Sequence, residues 1–260
     1  MFLPDWQPIC RNLPREMEYA NLYFIHDLHF GSPLFDNKKW ERFKKMVRAD
    51  DHGFVLWIGD LMENAIPGSK SDPMLQTLNP HQQKEMVIEQ FIDFGDQTIS
   101  VVPGNHEHNR TTKVCGLYPI YDACERAGIG DKYRDIVSFV NIGIGESKKD
   151  RRKQVHYFGQ TQHQAKALKS YGTSDFTDGI DFFAYGHDHT PGDNPSAKMV
   201  FDQHNNVIRK KNIENIDCGS GCSFWGSYSA RGAGRPKSDK VWTLTIFSEE
   251  KRLDTHGFYV

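Results

Sequence analysis

Phe54-Val55-Leu56-Trp57-Ile58-Gly59-Asp60 is the stretch from which the fold is read: five apolar residues without a polar break, then glycine, then a carboxylate. A run of that length with no alternation suits a β-strand covered on both faces, and such strands belong to sheets with a layer on either side. The same pattern recurs outward along the chain. Tyr19 to Ile25 leads into His26-Asp27-Leu28-His29, Ile99 to Val102 into Pro103-Gly104-Asn105-His106-Glu107, and Phe182 to Tyr185 into Gly186-His187-Asp188-His189. Each apolar run stops at a cluster of carboxylate, amide or imidazole side chains. Loops beyond strand ends converge in α/β folds, and sites are built there.

Helices are predicted between the runs. Trp40, Phe43, Met46 and Val47 form an i, i+3, i+6, i+7 stripe behind Asp36 or Asn37, either of which can cap a helix. Asn79-Pro80 opens a second helix running to Phe94, where Gly95 can stop it. Leu117 to Ala127 predicts a third and Ala165 to Ser170 a short fourth. Further strands are predicted over Ile136 to Ile144, Gln154 to Thr161, Val207 to Ile216, Val241 to Phe247 and Gly257 to Val260. Helix and strand alternate early and strands dominate late, so the sheet content is high and mixed. Residues 1–17, with Pro4, Pro8 and Pro14, read as an irregular arm. With 260 residues and no internal repeat, the expectation is one domain over 1–260.

Composition excludes some functions. Lys plus Arg is 32 and Asp plus Glu is 34, a net charge of −2, with a pI near 6.6. Bulk charge therefore does not hold this chain on nucleic acid. Mean hydropathy is −0.64. The longest apolar runs are strand-sized, far below the roughly 20 residues of a membrane-spanning helix, so no membrane partner is expected. The five cysteines are odd in number and lack paired spacing. Cys218 and Cys222 supply half a structural zinc site at most and read as small residues of a strand and turn. With an N-terminus that has no apolar leader, this usage points to the cytoplasm.

Carboxylate and amide oxygens mixed with imidazoles suit Mn, Fe, Zn, Co or Ni. A carboxylate can offer one oxygen to each of two ions, which makes Asp60 the natural bridge. The glycines before Asp60, Asn105 and His187 are expected to let the backbone turn sharply there.

The ordered set Asp27-Leu28-His29, Gly59-Asp60, Gly104-Asn105-His106-Glu107, a lone histidine and Gly186-His187-Asp188-His189 resembles the calcineurin-like metallophosphoesterases. That superfamily includes protein phosphatases, cyclic-nucleotide phosphodiesterases and repair nucleases. Gly219 to Pro236 is similar, more loosely, to the C-terminal tails of small bacterial and phage members. The resemblance implies a four-layer α/β/β/α sandwich of two mixed β-sheets. It implies that Asp27, His29 and His189 hold one metal, that Asn105, His187 and a middle histidine hold the other, and that Asp60 bridges them. It further implies two divalent cations, Mn2+ first with Fe, Zn, Ni or Co as alternatives, and a bridging hydroxide as nucleophile. His106 would face the leaving group, donating a proton or stabilising charge.

Two departures stand out. His26 occupies the position where the family has Ser or Thr. The middle histidine, commonly followed by glycine, is either His156 in Val-His-Tyr or His163 in Gln-His-Gln. His163 is the choice here, because it falls at the end of the strand pattern and His156 near its start.

The expected activity is hydrolysis of phosphodiesters, with nucleic acid or nucleotides as candidate substrates. Phosphomonoesterase activity, including that of a protein Ser/Thr phosphatase, is the alternative, and a binding scaffold without chemistry the weaker third reading. The charged turn over 146–153 and the Gly219 to Pro236 stretch can each meet a nucleic-acid backbone or be a solvated turn and a core connection respectively. Asn64 can orient a ligand or substrate. His108 and Arg110 either touch substrate phosphate or lie in a solvated loop, and Glu107 and Asp188 are expected to support backbone or neighbouring imidazoles. His52, His81, His204 and His256 read as surface or core residues.

Overall fold

The computed structural model describes residues 6–69, 71–145, 154–164, 177–187, 189, 191–217, 219 and 240–259. One sheet runs in the order β12 (Leu253–Tyr259), β11 (Lys240–Phe247), β2 (Tyr19–Ile25), β3 (Gly53–Ile58), β4 (Thr98–Val102). Its β2, β3 and β4 are parallel, and β11 is antiparallel to both of its neighbours. The other sheet runs β1 (Ile9–Asn12), β5 (Ser138–Ile144), β6 (Val155–Gln164), β7 (Phe182–Gly186), β10 (Val207–Asp217), β8 (Gly192–Asp193), with β9 (Ser196–Asp202) paired to the early part of β10. Here β6, β7 and the end of β10 are parallel, while β5 is antiparallel to β6. Both sheets are mixed.

The two sheets pack face to face. Leu22, Phe24, Leu56, Ile58 and Val102 of the first meet Val140, Ile142, Tyr157, Phe182, Ala184 and Ile216 of the second in one apolar cluster. The intervening residues Tyr23, Ile25, Val55, Trp57 and Val101 point the other way, onto helices α1 (Asn37–Arg48), α2 (Pro80–Asp93) and, beyond the short turns α3 (Asn105–Glu107) and α4 (Lys113–Cys115), α5 (Pro119–Arg126). This is why Phe54 to Ile58 carries no polar residue: both faces of β3 are covered, and all of its residues are buried. Trp57 lies at the centre of the helical side, its ring 5.2 Å from Phe91 and 5.6 Å from Phe94, with its indole N–H donating to Thr98 Oγ1 at 3.1 Å. The two long helices start where the sequence signals them. Asp36 accepts from the Lys39 N–H at 3.0 Å, and Asn79 and Gln82 form a reciprocal cap in front of Pro80.

Several elements differ from the sequence reading: β8 is not foreseen there, and the strand expected over Gly257 to Val260 begins at Leu253. Ile9–Asn12, placed by that reading in an irregular arm over 1–17, is a parallel edge strand with Ile9 opposite Val140. Four residues flanked by prolines are too few to show a period, and an edge strand tolerates such flanks. The strand β9, not foreseen, carries Met199 and Phe201 exposed, so backbone pairing with β10 rather than burial defines it. The expected helix from Ala165 to Ser170, the charged turn over 146–153 and the 220–236 part of the glycine-rich stretch lie outside the described residues. So do Cys218 and Cys222; Cys10, Cys115 and Cys124 are free thiols. Among the described residues no helix is long and apolar enough to cross a membrane.

Candidate metal centre

Because β2, β3, β4, β6 and β7 point the same way in their sheets, the loops after them reach a common end of the sandwich. The loops after β2 and β3 stay paired beyond the strands: Asp27 N–H donates to Gly59 O at 3.0 Å, His29 N–H to Asp60 O at 3.0 Å and Phe30 N–H to Leu61 O at 2.7 Å. This pairing past the strand ends goes with tight backbone at Asp27, His29 and Asp60. Asp27, His29, Asp60, His187 and His189 all hold positive φ, between 48° and 85°, and among the described non-glycine residues only Asn64 and Asn206 share that state. Such conformations cost on the order of 1–3 kcal/mol each and persist where the surroundings over-determine them.

The glycines before the motif residues do different jobs. Gly59 takes φ +76° and so makes the sharp turn. Gly104 and Gly186 do not share this left-handed state; they leave room instead. A Cβ on Gly104 would overlap Asp60, and one on Gly186 would stand 2.7 Å from His26 Nδ1 and 3.0 Å from Asp27 Oδ2.

The side chains meet. Asp27 presents Oδ2 to His26 Nδ1 and to the His187 N–H at 2.8 Å, which turns Oδ1 toward three imidazoles. His189 Nε2 is 3.2 Å from that oxygen, His29 Nε2 3.7 Å and His163 Nε2 3.9 Å. Asp60 Oδ1 accepts the His106 N–H at 2.7 Å, and Oδ2 is 3.0 Å from His163 Nε2. Asn105 Oδ1 lies 3.2 Å from His163 Nε2. His163 donates from Nδ1 to Ile58 O at 2.7 Å, an anchor that fixes the ring and points Nε2 into the cluster. The ligand atoms of Asp27, His29 and His189 lie within 4.8 Å of one another; so do those of Asp60, His163 and His187, and those of His29, Asp60 and His106. A carboxylate with two imidazoles, buried or half-buried, is a donor set that fits a divalent transition cation, and the structure offers it three times, once through Asp27 and twice through Asp60.

His163 thus lies within the cluster. His156 binds Asn141 Oδ1 at 2.9 Å near the other end of β6, about 23 Å of strand away at roughly 3.3 Å per residue.

The charges are strongly interdependent. Burial works against the Asp27 carboxylate, and His189, His26 and His163 overcome it, holding the group well below the usual range. Burial likewise opposes Asp60, and His163 and His106 pull it down. Burial disfavours a charged His163, yet Asp60 and Asp27 push it up to about 9. Burial drives His106 down to about 4 against the pull of Asp60.

Several neighbours hold this arrangement. Fully buried Glu107 accepts three backbone N–H groups: Gly104 at 2.7 Å, Met62 at 2.8 Å and Asp60 at 3.1 Å. Burial and the Asp60 charge raise its carboxyl to about 7. Asn64, buried and at φ +46°, donates to His106 O at 2.9 Å and so ties the loop after β3 to the turn after β4. Glu63, which sequence reasoning passed over, sets its Oε2 3.3 Å from His29 Nδ1 and offers its carbonyl to His106 Nδ1 at 2.8 Å. No spacing rule would have found it, since its role depends on where two other loops arrive. The segment between Glu63 and Pro80 is pinned: Gln76 accepts the Ala65 N–H at 2.9 Å and donates to Ala65 O at 3.1 Å. Arg110 reaches Glu63, Ser71 and His106, and is not in a solvated loop. His52, His81, His108, His204 and His256 belong to none of the three ligand groups, and Asp188 lies outside the described residues.

No family model and no curated protein matches the chain. Among solved structures it is similar to Vps29 from Chaetomium thermophilum, at 10% identity and a TM-score of 0.36 over 93% of this chain and 97% of that one. It is similar to a metallophosphoesterase from Sphaerobacter thermophilus, at 11% identity and 0.38 over 92% and 88%. It is also similar to the calcineurin-like phosphoesterase YfkN from Bacillus subtilis, at 12% identity and a TM-score of 0.42 over 93% of this chain and 90% of that one.

Proposed function

We propose that this protein is a metal-dependent phosphoesterase that hydrolyses phosphodiesters, with nucleic acid or nucleotides as the substrate class. The observation that carries the reading is the meeting of two carboxylate–imidazole sets, Asp27–His29–His189 and Asp60–His163–His187, each with its ligand atoms within 4.8 Å of one another. In this reading Asp27, His29 and His189 would hold one cation, His163, His187 and Asn105 the other, and Asp60 would serve both. Divalent cations held there supply a water acidic enough to act as nucleophile near neutral pH and positive charge for the phosphoryl oxygens.

The chain's own residues orient and support. His26 and the His187 N–H take one oxygen of Asp27 and leave the other for the cluster. Glu107 and Asn64 fix the loops that carry Asp60 and His106. His106, held by Glu63 O, stands at the edge where a leaving oxygen would depart. Preference for a polymeric diester draws on α1, which begins eight residues after His29 and exposes Lys38, Arg42, Lys45 and Arg48 against Glu41 alone. Such a helix suits a phosphate backbone in a chain whose net charge is −2.

The test compares bis-p-nitrophenyl phosphate with p-nitrophenyl phosphate in the presence of Mn2+, followed by single- and double-stranded DNA. Diester turnover exceeding monoester turnover supports the reading. Faster monoester turnover with intact DNA would replace it with a phosphomonoesterase, and no turnover with bound metal would leave a binding scaffold.

A further inference from the structure

Arg110 lies on the wide π-type turn His108–Thr112 that follows α3, a local geometry often found at functional sites. Its Nη1 donates to Glu63 O at 2.5 Å and lies 3.5 Å from Glu63 Oε1, while Nη2 is 3.4 Å from Ser71 Oγ and 2.8 Å from His106 Nε2. The side chain is 12% exposed. An arginine can only donate, so His106 Nε2 is the acceptor. His106 Nδ1, 2.8 Å from Glu63 O, therefore carries the hydrogen. His106 Nε2, 3.8 Å from Asp60 Oδ2, is thus occupied by a guanidinium.

A neutral nitrogen is a weaker partner for that cationic donor than an anionic oxygen, because phosphate adds an opposite charge to the hydrogen bond. Glu63 and Ser71 meanwhile hold the rest of the guanidinium in place, so the fork is set before any ligand arrives.

We propose that Arg110 is a substrate-binding residue of this site: a phosphoryl oxygen takes over the Nη2 donor now held by His106, and the exchange releases His106 Nε2. The inference rests on the phosphoesterase reading for its substrate, and it concerns a residue that the metal motifs do not include. The exchange moves hydrogen bonds only; no covalent bond is made or broken.

The experiment measures inorganic phosphate binding to the zinc-loaded protein by calorimetry, and the His106 Nε2 resonance by 15N NMR at one fixed pH. In the native chain, phosphate should shift that resonance as the arginine leaves it. In Arg110→Ala the resonance should already be shifted without phosphate, and phosphate affinity should fall about 10- to 100-fold, the loss of one charged hydrogen bond. Arg110→Lys, which keeps the charge but not the fork, should lie between the two, and its graded loss separates ligand binding from a folding defect in the alanine variant. Phosphate affinity within twofold of the native value in both variants would overturn the assignment. If the native protein hydrolyses esters while the variants bind phosphate normally, only the Arg110 role fails. If phosphate binding depends on Arg110 and no ester is turned over, the phosphoesterase reading fails and the binding role stands.

Discussion

Replacing Glu107 by glutamine isolates what holds the Asp60 loop in its strained state. In the native chain one carboxylate oxygen accepts from the Asp60 and Gly104 N–H groups and the other from Met62, all fully buried. A glutamine offers one oxygen, which keeps at most the first pair, and turns an NH2 group toward the Met62 N–H. At least one buried donor then loses its acceptor, a cost of about 1–3 kcal/mol. For a chain of this size each kcal/mol lowers Tm by roughly 2–4 °C, so a fall of about 2–12 °C is expected. Glu107→Ala strands all three donors, about 3–9 kcal/mol on the same footing, against a total stability of order 5–15 kcal/mol. The assay is thermal unfolding in excess chelator at pH 8, above the value of about 7 to which burial raises this carboxyl. Chelator keeps metal binding from masking the loss. A glutamine variant that melts within 1 °C of the native chain would show that the carboxylate does not hold the loops. Metal titration gives a second reading: with Asp60 less firmly placed, affinity should fall alongside stability.

Other substitutions separate the remaining roles. His163→Ala should lower metal content, because its Nε2 lies 3.0 Å from Asp60 Oδ2, whereas His156→Ala should leave it unchanged; elemental analysis distinguishes them, and the reverse result would move the middle ligand to His156. Asp60→Asn should reduce occupancy of both ions together, and loss of a single ion would argue against a bridging role. His106→Ala should retain metal while hydrolysis of substrates with poor leaving groups falls roughly 10²-fold or more. Loss of metal in that variant would make His106 a ligand, consistent with its place in a group with His29 and Asp60.

Much of the framework could be read from local pattern. Tyr19 to Ile25 is a strand over the stretch expected, and β3 differs from Phe54 to Ile58 by one residue, because a continuous apolar run between polar loops has one stable use in a sheet covered on both faces. The caps at Asp36 and Asn79 are local chemistry, set by a side chain and an N–H three residues on. Short edge pieces such as Ile9–Asn12 were hidden, since their partner, β5, lies far along the chain and no period shows in four residues.

The chain alone also determined which residue types end the strands: carboxylate, amide and imidazole after four apolar runs. What tertiary structure decided is which atoms face which. His163 enters the cluster and His156 does not, because a ten-residue strand puts its two ends on opposite sides of the sandwich. Glu63, Glu107 and Arg110 take their places only when the loops after β3 and β4 close on one another. The left-handed backbone at Asp27, His29 and Asp60 likewise goes with the pairing of the loops after β2 and β3. Residue type is a property of the covalent chain, while donor geometry is a property of segments that meet only after the two sheets have buried their shared core.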